Sequence, residues 1–245
     1  MRKIVLIGGS GTVGSILATG LKQVGYSVFN MDKKPPSSEQ CCPFIEVDAT
    51  NYQQLLERIP AETDTIINLL KVDAASGVES ITRFQQLSDI FFHASYYILM
   101  AARENRVRRV VFASSNHVTD GYEKDGYSLL NREIHTEDLP KTNSLYGILK
   151  FASEQAGRLF AQEGTLSVIN IRIASVPAKS QQAVKDRLNR TMLTDDDLIE
   201  LMKCAIETTQ DYGTYYGVSN HLHKPWSTWN AHIELGFTSK QRNLD

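Results

Sequence analysis

Cysteine is scarce in this chain, with three among 245 residues, at positions 41, 42 and 204. An odd count, two of them sequence neighbours, suits a reducing compartment in which they serve as small apolar side chains. Charge of one sign is also missing. The formal net charge is −2, which supplies no basic field for nucleic acid and no polybasic patch for a membrane surface. The arginines at 106, 108 and 109 read as a solvated helix end. Long apolar runs are absent too: residues 4–7 are far too few for an export signal or a membrane span, and glycines follow at once. A cytoplasmic protein with neither nucleic-acid nor membrane partners is expected. No repeat or low-complexity tract interrupts the chain.

What is present is an ordinary globular composition, 42 % hydrophobic and 22 % charged, in a length that one α/β core can absorb. Short β-rich runs alternate with helical periodicity. Strands are predicted over 3–7, 27–31, 44–47, 65–70, 109–113, 167–173 and 214–218. Helices are predicted where Val13, Ile16, Leu17, Leu21 and Val24 recur, then over 52–59, 79–105, 146–162 and 195–208. Residues 33–40 and 176–193 read as loop, 116–144 as turn-rich and polar, and the end from Asn220 as short and irregular. The pattern predicts an α/β protein with a Rossmann-type doubly wound parallel sheet. Residues 1–175 are expected to form its nucleotide-binding core. Residues 176–245 are expected to form a small substrate-binding cap within the same structural domain.

The first strand runs into Gly8-Gly9-Ser10-Gly11-Thr12-Val13-Gly14 and then a helix. A dinucleotide pyrophosphate needs backbone N–H groups at a helix N-terminus with no Cβ in the way, which Gly8, Gly11 and Gly14 provide. Asp32 ends the second strand, where a carboxylate accepts both ribose hydroxyls of NAD. The bland alternative is an ordinary tight βα turn, but here strand, helix and acid stand in the right order. Lys33 and Lys34 would attract a 2′-phosphate and Asp32 would repel it, so NAD is expected over NADP.

Tyr146 and Lys150 stand at i and i+4 on one helix face. A free phenol, pKa about 10, is a poor base at neutral pH, and a neighbouring cation favours its ionised form. Such a tyrosine can take the proton of an alcohol while hydride leaves the carbon. Ser115, at the end of the fifth strand, can hydrogen-bond the same oxygen. Taken singly, the Tyr–Lys pair could be surface decoration and Ser114-Ser115 an end-of-strand device.

Together behind a glycine turn, these motifs resemble the extended, NAD-dependent epimerase/dehydratase-like branch of the short-chain dehydrogenase/reductase family, over the whole chain. Residues 111–117 (Val-Phe-Ala-Ser-Ser-Asn-His), 145–150, 172–175 and 194–198, with Trp229-Asn230, are most similar to the uronate dehydrogenases, which oxidise C1 of a hexuronate with NAD to an aldarolactone. The resemblance implies Ser115, Tyr146 and Lys150 as the catalytic triad. It implies cofactor contacts from Gly8, Ser10, Gly11, Thr12, Val13, Gly14, Asp32, Asp48 and Leu69, along with Tyr146 and Lys150. Substrate contacts would come from Asp73, Ser115, Asn116, His117, Ser175 and Arg187. Arg187 is the candidate for the substrate carboxylate, its planar fork suiting bidentate recognition. Asn116 and His117 could instead cap the loop after the strand, and Arg187 could be one more exposed arginine.

The chain departs from that family at several positions. Leu70 and Lys71 stand where small residues are usual, Asp73 where a substrate-binding serine is expected, and Phe91 where a relay asparagine is expected behind the lysine. These positions leave open a different sugar or polyol. Two further functions stay open: a nucleotide-sugar epimerase or dehydratase, which normally has a larger C-terminal part, and a regulator that binds NAD(P) without turnover. His221-Leu222-His223 has no carboxylate or cysteine at ligand spacing, so no metal is expected. Asp195–Asp197 read as the acidic first turn of a helix capped by Thr194. Phe91, Phe92, Tyr96 and Tyr97 make the long helix more aromatic than one core stripe needs, and a homodimer or higher homo-oligomer is expected from that.

Overall fold

A computed structural model describes residues 1–37, 41–73, 77–177 and 186–241. Parts of two loops expected from sequence, 38–40 and 178–185, lie outside them. Strands β1 (Lys3–Ile7), β2 (Ser27–Asp32), β3 (Phe44–Glu46), β4 (Thr65–Asn68), β5 (Arg109–Ser115), β8 (Ser167–Ile173) and β9 (Tyr212–Gly217) form one sheet. Its order is β3-β2-β1-β4-β5-β8-β9, and all pairings are parallel. A two-stranded hairpin, β6 (Glu123–Lys124) with β7 (Tyr127–Ser128), sits apart. The chain winds outward from β1 to β3, then returns to lay β4 on β1's other side. That reversal opens a crevice at the carboxyl ends of β1 and β4, where open α/β sheets take their ligands.

Strand residues alternate between two faces, and each face has its own helix layer. Ile4 and Leu6 meet Leu17 and Leu21 of α1 (Thr12–Gln23) and Leu198, Leu201 and Met202 of α7 (Asp195–Glu207). Val5 and Ile7 meet Leu55 of α2 (Tyr52–Arg58), Ile98 and Leu99 of α4 (Ala94–Glu104), and Phe160 of α5 (Leu145–Gln162). Burying one leucine-sized side chain contributes about 1.5–3 kcal/mol, so the two apolar layers dominate the stability of the sheet. Because β9 joins this sheet and α7 covers it, much of the segment after residue 175 lies within these layers.

Four expectations need correction. The helix expected over 79–105 is broken into α3 (Ile81–Ser88), a π-helical turn at Asp89–His93, and α4. The extra residue in that turn moves the apolar stripe, so Leu87, Phe91, Ser95, Ile98 and Ala102 are buried while Ile81 and Phe84 are exposed. The loop expected over 176–193 contains a short helix, α6 (Leu188–Thr191). The irregular end contains α8 (Trp229–Leu235), which buries only Ala231 and so shows no periodic stripe. Arg109 is no solvated helix end: it is 2 % exposed and donates to the carbonyls of Ala205, Ile206 and Gln210, tying β5 to the end of α7. The turn-rich stretch 116–144 holds two 3-10 turns, Asn116–Val118 and Asp120–Tyr122, besides the hairpin.

Candidate active site

Where β1 enters α1, Gly8 has φ +81, and a Cβ there would come within 2.9 Å of the Leu70 backbone nitrogen. A Cβ at Gly14 would run into the Gly9 carbonyl. Only glycine fits either place. Asn51, Ser80, Ser144 and Thr194 cap α2, α3, α5 and α7 with their side chains. At α1 the N-cap is Gly11, which offers no side chain. Its first-turn N–H groups therefore stay available to an anionic ligand. The cradle fits the pyrophosphate of a dinucleotide.

Asp32 adjoins this turn, accepting from the backbone nitrogens of Ser10 at 3.0 Å and Lys33 at 2.7 Å. Asn30, buried beneath the turn, donates to the Ser10 hydroxyl at 3.1 Å. Lys33 turns away to Asp48, 2.7 Å from its carboxylate. That pair raises the Lys33 pKa and holds the Asp48 carboxyl below its ordinary range. The Lys33 ammonium is thereby paired with Asp48.

A cavity of about 340 Å³ continues from the turn across the ends of β4, β5 and β8. Among the positions expected from sequence, it brings together Val13, Leu69, Asp73, Ser115, His117, Tyr146 and Lys150. Lys71 lines it too, and sequence reasoning gave no role to Ser144 or Val176, which also line it. Three expected substrate contacts do not line it. Asn116 is buried beside Ser115, Ser175 pairs with Thr191 at 3.0 Å, and Arg187 forks onto Glu123 at 3.0 and 2.8 Å.

Ser144 caps α5 by accepting from the Gly147 nitrogen at 3.2 Å, which starts the helix one residue before Tyr146. Tyr146 and Ser115 line the same cavity. Burial pushes the Tyr146 phenol above the ordinary value, and the nearby Ser115 hydroxyl pulls it back. The ammonium of Lys150 lies 5.7 Å from the Tyr146 ring centre and 4.8 Å from that of Phe91. It donates to the Ala113 carbonyl at 2.8 Å and the Leu70 carbonyl at 3.4 Å. Burial brings Lys150 down to about 8, with Glu154 pulling the other way. Phe91 and His117 each stand edge-on to the Tyr146 ring, with centroids 4.9 and 5.5 Å away. His117 also holds Asp120 at 2.8 Å.

Behind Lys150 stand Glu154, Arg172 and Ser114, to which sequence reasoning gave no part in the site. Glu154 was legible as the third member of a Tyr-x-x-x-Lys-x-x-x-Glu run on one helix face. Among the described residues, no three His, Cys, Asp or Glu side chains are grouped to hold a metal ion. No helix among them is long and apolar enough to cross a membrane.

A parallel sheet in this order, with an uncapped glycine turn at its switch point and a tyrosine and lysine facing it, defines the nicotinamide-dependent oxidoreductase class. The sequence pattern of the NAD dependent epimerase/dehydratase family matches residues 4–195, and the chain belongs to that family. Its enzymes use NAD, and this chain is an NAD-dependent dehydrogenase of that family. The uncharacterized protein YtbQ of Bacillus subtilis (strain 168) is 46 % identical over 240 residues, covering 97 % of this chain and 94 % of its own. Uronate dehydrogenase of Pseudomonas putida is 26 % identical over 246 residues, covering 97 % and 84 %. A solved structure described as a mutated uronate dehydrogenase superposes with a TM-score of 0.82 at 25 % identity, covering 98 % of this chain and 82 % of that one.

Proposed function

We propose that the chain oxidises C1 of a hexuronic acid, with NAD as acceptor, to an aldarolactone. The observation that carries this reading is that Ser115, Tyr146 and Lys150 line one cavity, which reaches Val13 at the start of the helix after the glycine turn. NAD supplies the hydride acceptor. Tyr146 takes the proton of the C1 hydroxyl as the C1–H bond gives up hydride and the carbonyl forms. Ser115 donates to the same oxygen and fixes the sugar's orientation. Lys150, as the ammonium, favours the phenolate and so lowers the cost of the proton transfer. Asp32 and Asp48 hold the adenosine end of NAD, and Lys71, Asp73 and His117 face the sugar. In this reading residues 176–245 close the sugar side of the cleft.

We also propose that the chain self-associates. Phe92, Tyr96, Ile148 and Leu159 are exposed on the π turn, α4 and α5, and a second copy of that face would cover them.

Purified protein with NAD is to be given D-glucuronate, D-galacturonate, D-glucose, L-arabinose and UDP-glucose, with NADH followed by absorbance and products identified. Rapid NADH formation with the uronates alone supports the reading. Equal rates on acid and neutral sugars would remove the uronate assignment, and a rearranged UDP-sugar without net NADH would replace it with epimerase chemistry.

A further inference from the structure

Glu154 lies four residues beyond Lys150 on the same face of α5 and is 1 % exposed. Both its oxygens are held. Arg172 of β8 donates Nε at 3.0 Å and Nη2 at 2.8 Å, and Ser114 of β5 donates its hydroxyl. Arg172 is itself buried and reaches the Tyr216 hydroxyl at 3.4 Å, which pairs with Thr119 at 2.7 Å. The carboxylate is thus a charge fixed in place, not a side chain free to swing. A buried ion pair of this kind adds little net stability, because desolvation offsets the attraction. Its location, one helical turn behind the lysine of the cleft, calls for another account.

The surroundings of Lys150 are otherwise poor in anions. Phe91 presents an aromatic face from the π turn, and β5 and the segment after β4 present the carbonyls of Ala113 and Leu70. On α5 stands Tyr146. The segment after β5 brings His117, already paired with Asp120, and the segment after β4 brings Lys71 and Asp73 to the cavity wall. Arg172 lies behind Glu154 on β8. Arg158 and Glu234 share with Glu154 a second cleft on the far side.

We propose that Glu154 is a positioning residue for the Tyr146–Lys150 pair, the fixed anion that keeps Lys150 an ammonium in a largely apolar setting. The inference rests on the proposed catalytic reading of that pair. Burial drives Lys150 toward the neutral amine, and Glu154 is the group whose field opposes it. Arg172 and Ser114 act by preventing the carboxylate from turning away, and Ser114 links it to the strand end that carries Ser115.

The test follows Lys150 directly, by 13C NMR of protein labelled at lysine Cε, with Lys150→Met assigning the signal. The parent midpoint should lie near pH 8. In Glu154→Gln, which keeps the shape and removes the charge, it should fall by roughly one unit, a tenfold loss of ammonium at a given pH. Glu154→Gln with Arg172→Met removes both charges and carries the test if the single variant does not fold; its midpoint should also lie below the parent's. A purely structural pair would lower Tm and leave the midpoint in place, which overturns the proposal. So does a double variant that returns to the parent value, since the bare Arg172 would then be the cause. Turnover retained by Tyr146→Phe would sink the catalytic reading alone, leaving the Lys150 midpoint shift as a separate result.

Discussion

Arg187 closes on Glu123, its Nε and Nη2 meeting the two carboxylate oxygens at 3.0 and 2.8 Å. Glu123 opens the β6–β7 hairpin and is largely buried, while Arg187 is about two-fifths exposed. The pair fastens the residues before α6 to that hairpin, and neither partner lines the cleft.

Arg187→Ala should therefore act on stability. With Glu123 left unpaired, the loss should be roughly 1–2 kcal/mol, since the arginine's exposure weakens the pair. Urea denaturation measures it. The ratio of kcat/KM for glucuronate over glucose should stay within a factor of about three of the parent's if Arg187 makes no contact with the acid.

Lys71 is the expected source of that ratio, because it lines the cavity and, among the described residues, makes no ion pair. Lys71→Ala should lower kcat/KM for the uronate by about tenfold to a hundredfold, through KM, and leave the neutral sugar nearly unchanged. An equal loss on both sugars, together with weaker NAD binding by calorimetry, would place Lys71 against the cofactor instead. The Lys71→Ala, Arg187→Ala double variant shows whether the two cations act independently.

Asp32→Ala should weaken NAD and reduce discrimination against NADP, because one change removes both the ribose acceptor and the repulsion of a 2′-phosphate. It also frees the Ser10 and Lys33 nitrogens that Asp32 now holds. Calorimetric titration with each cofactor decides it: unchanged Kd for both would put Asp32 outside the site.

Tyr146→Phe should lower kcat by about 10²–10⁴, the usual contribution of a positioned acid–base group, with little change in NAD affinity. If Tyr146 and Ser115 act on the same substrate oxygen, Ser115→Ala in the Phe background should cost little more.

Much of this site was legible in the sequence because it is built from local spacing. The glycine turn needs three positions within seven residues, and the Tyr–Lys pair needs one helical turn; β8 runs over the same seven residues in sequence and structure. Features that depend on distant contacts were not. The Asp89–His93 π turn has no signature of its own and is seen only where Phe91 packs against Tyr146. Arg109 looks solvated until α7 folds its last carbonyls over it. Arg187 looks free until the hairpin delivers Glu123. The helix α8 has no stripe, and its one local clue is Gly236, which ends it at φ 74.

The buried Lys150 also leaves a mark on stability. Its pKa is lowered from 10.5 to about 8 by burial, so the unfolded chain binds more protons between those two values. Stability from this group rises with pH through that window and is lowest below pH 8. Relative to the parent, Lys150→Met should therefore be most stabilising near pH 7, by on the order of 2–3 kcal/mol, and lose that advantage toward pH 10. Chemical denaturation at both pH values checks it, with an unchanged difference counting against a buried, titrating lysine.

The bare end of α1 has a consequence for the life of the protein outside catalysis. Four other helices finish their own N-termini, and α1 leaves that task to a ligand. NAD is then a stability partner as well as a reagent, adding RT ln(1 + [NAD]/Kd), about 2.7 kcal/mol at a hundredfold excess over Kd. Where the dinucleotide pool runs low, that contribution is lost, and resistance to proteolysis should fall with it. The amount of folded enzyme would in that way follow the supply of its own oxidant.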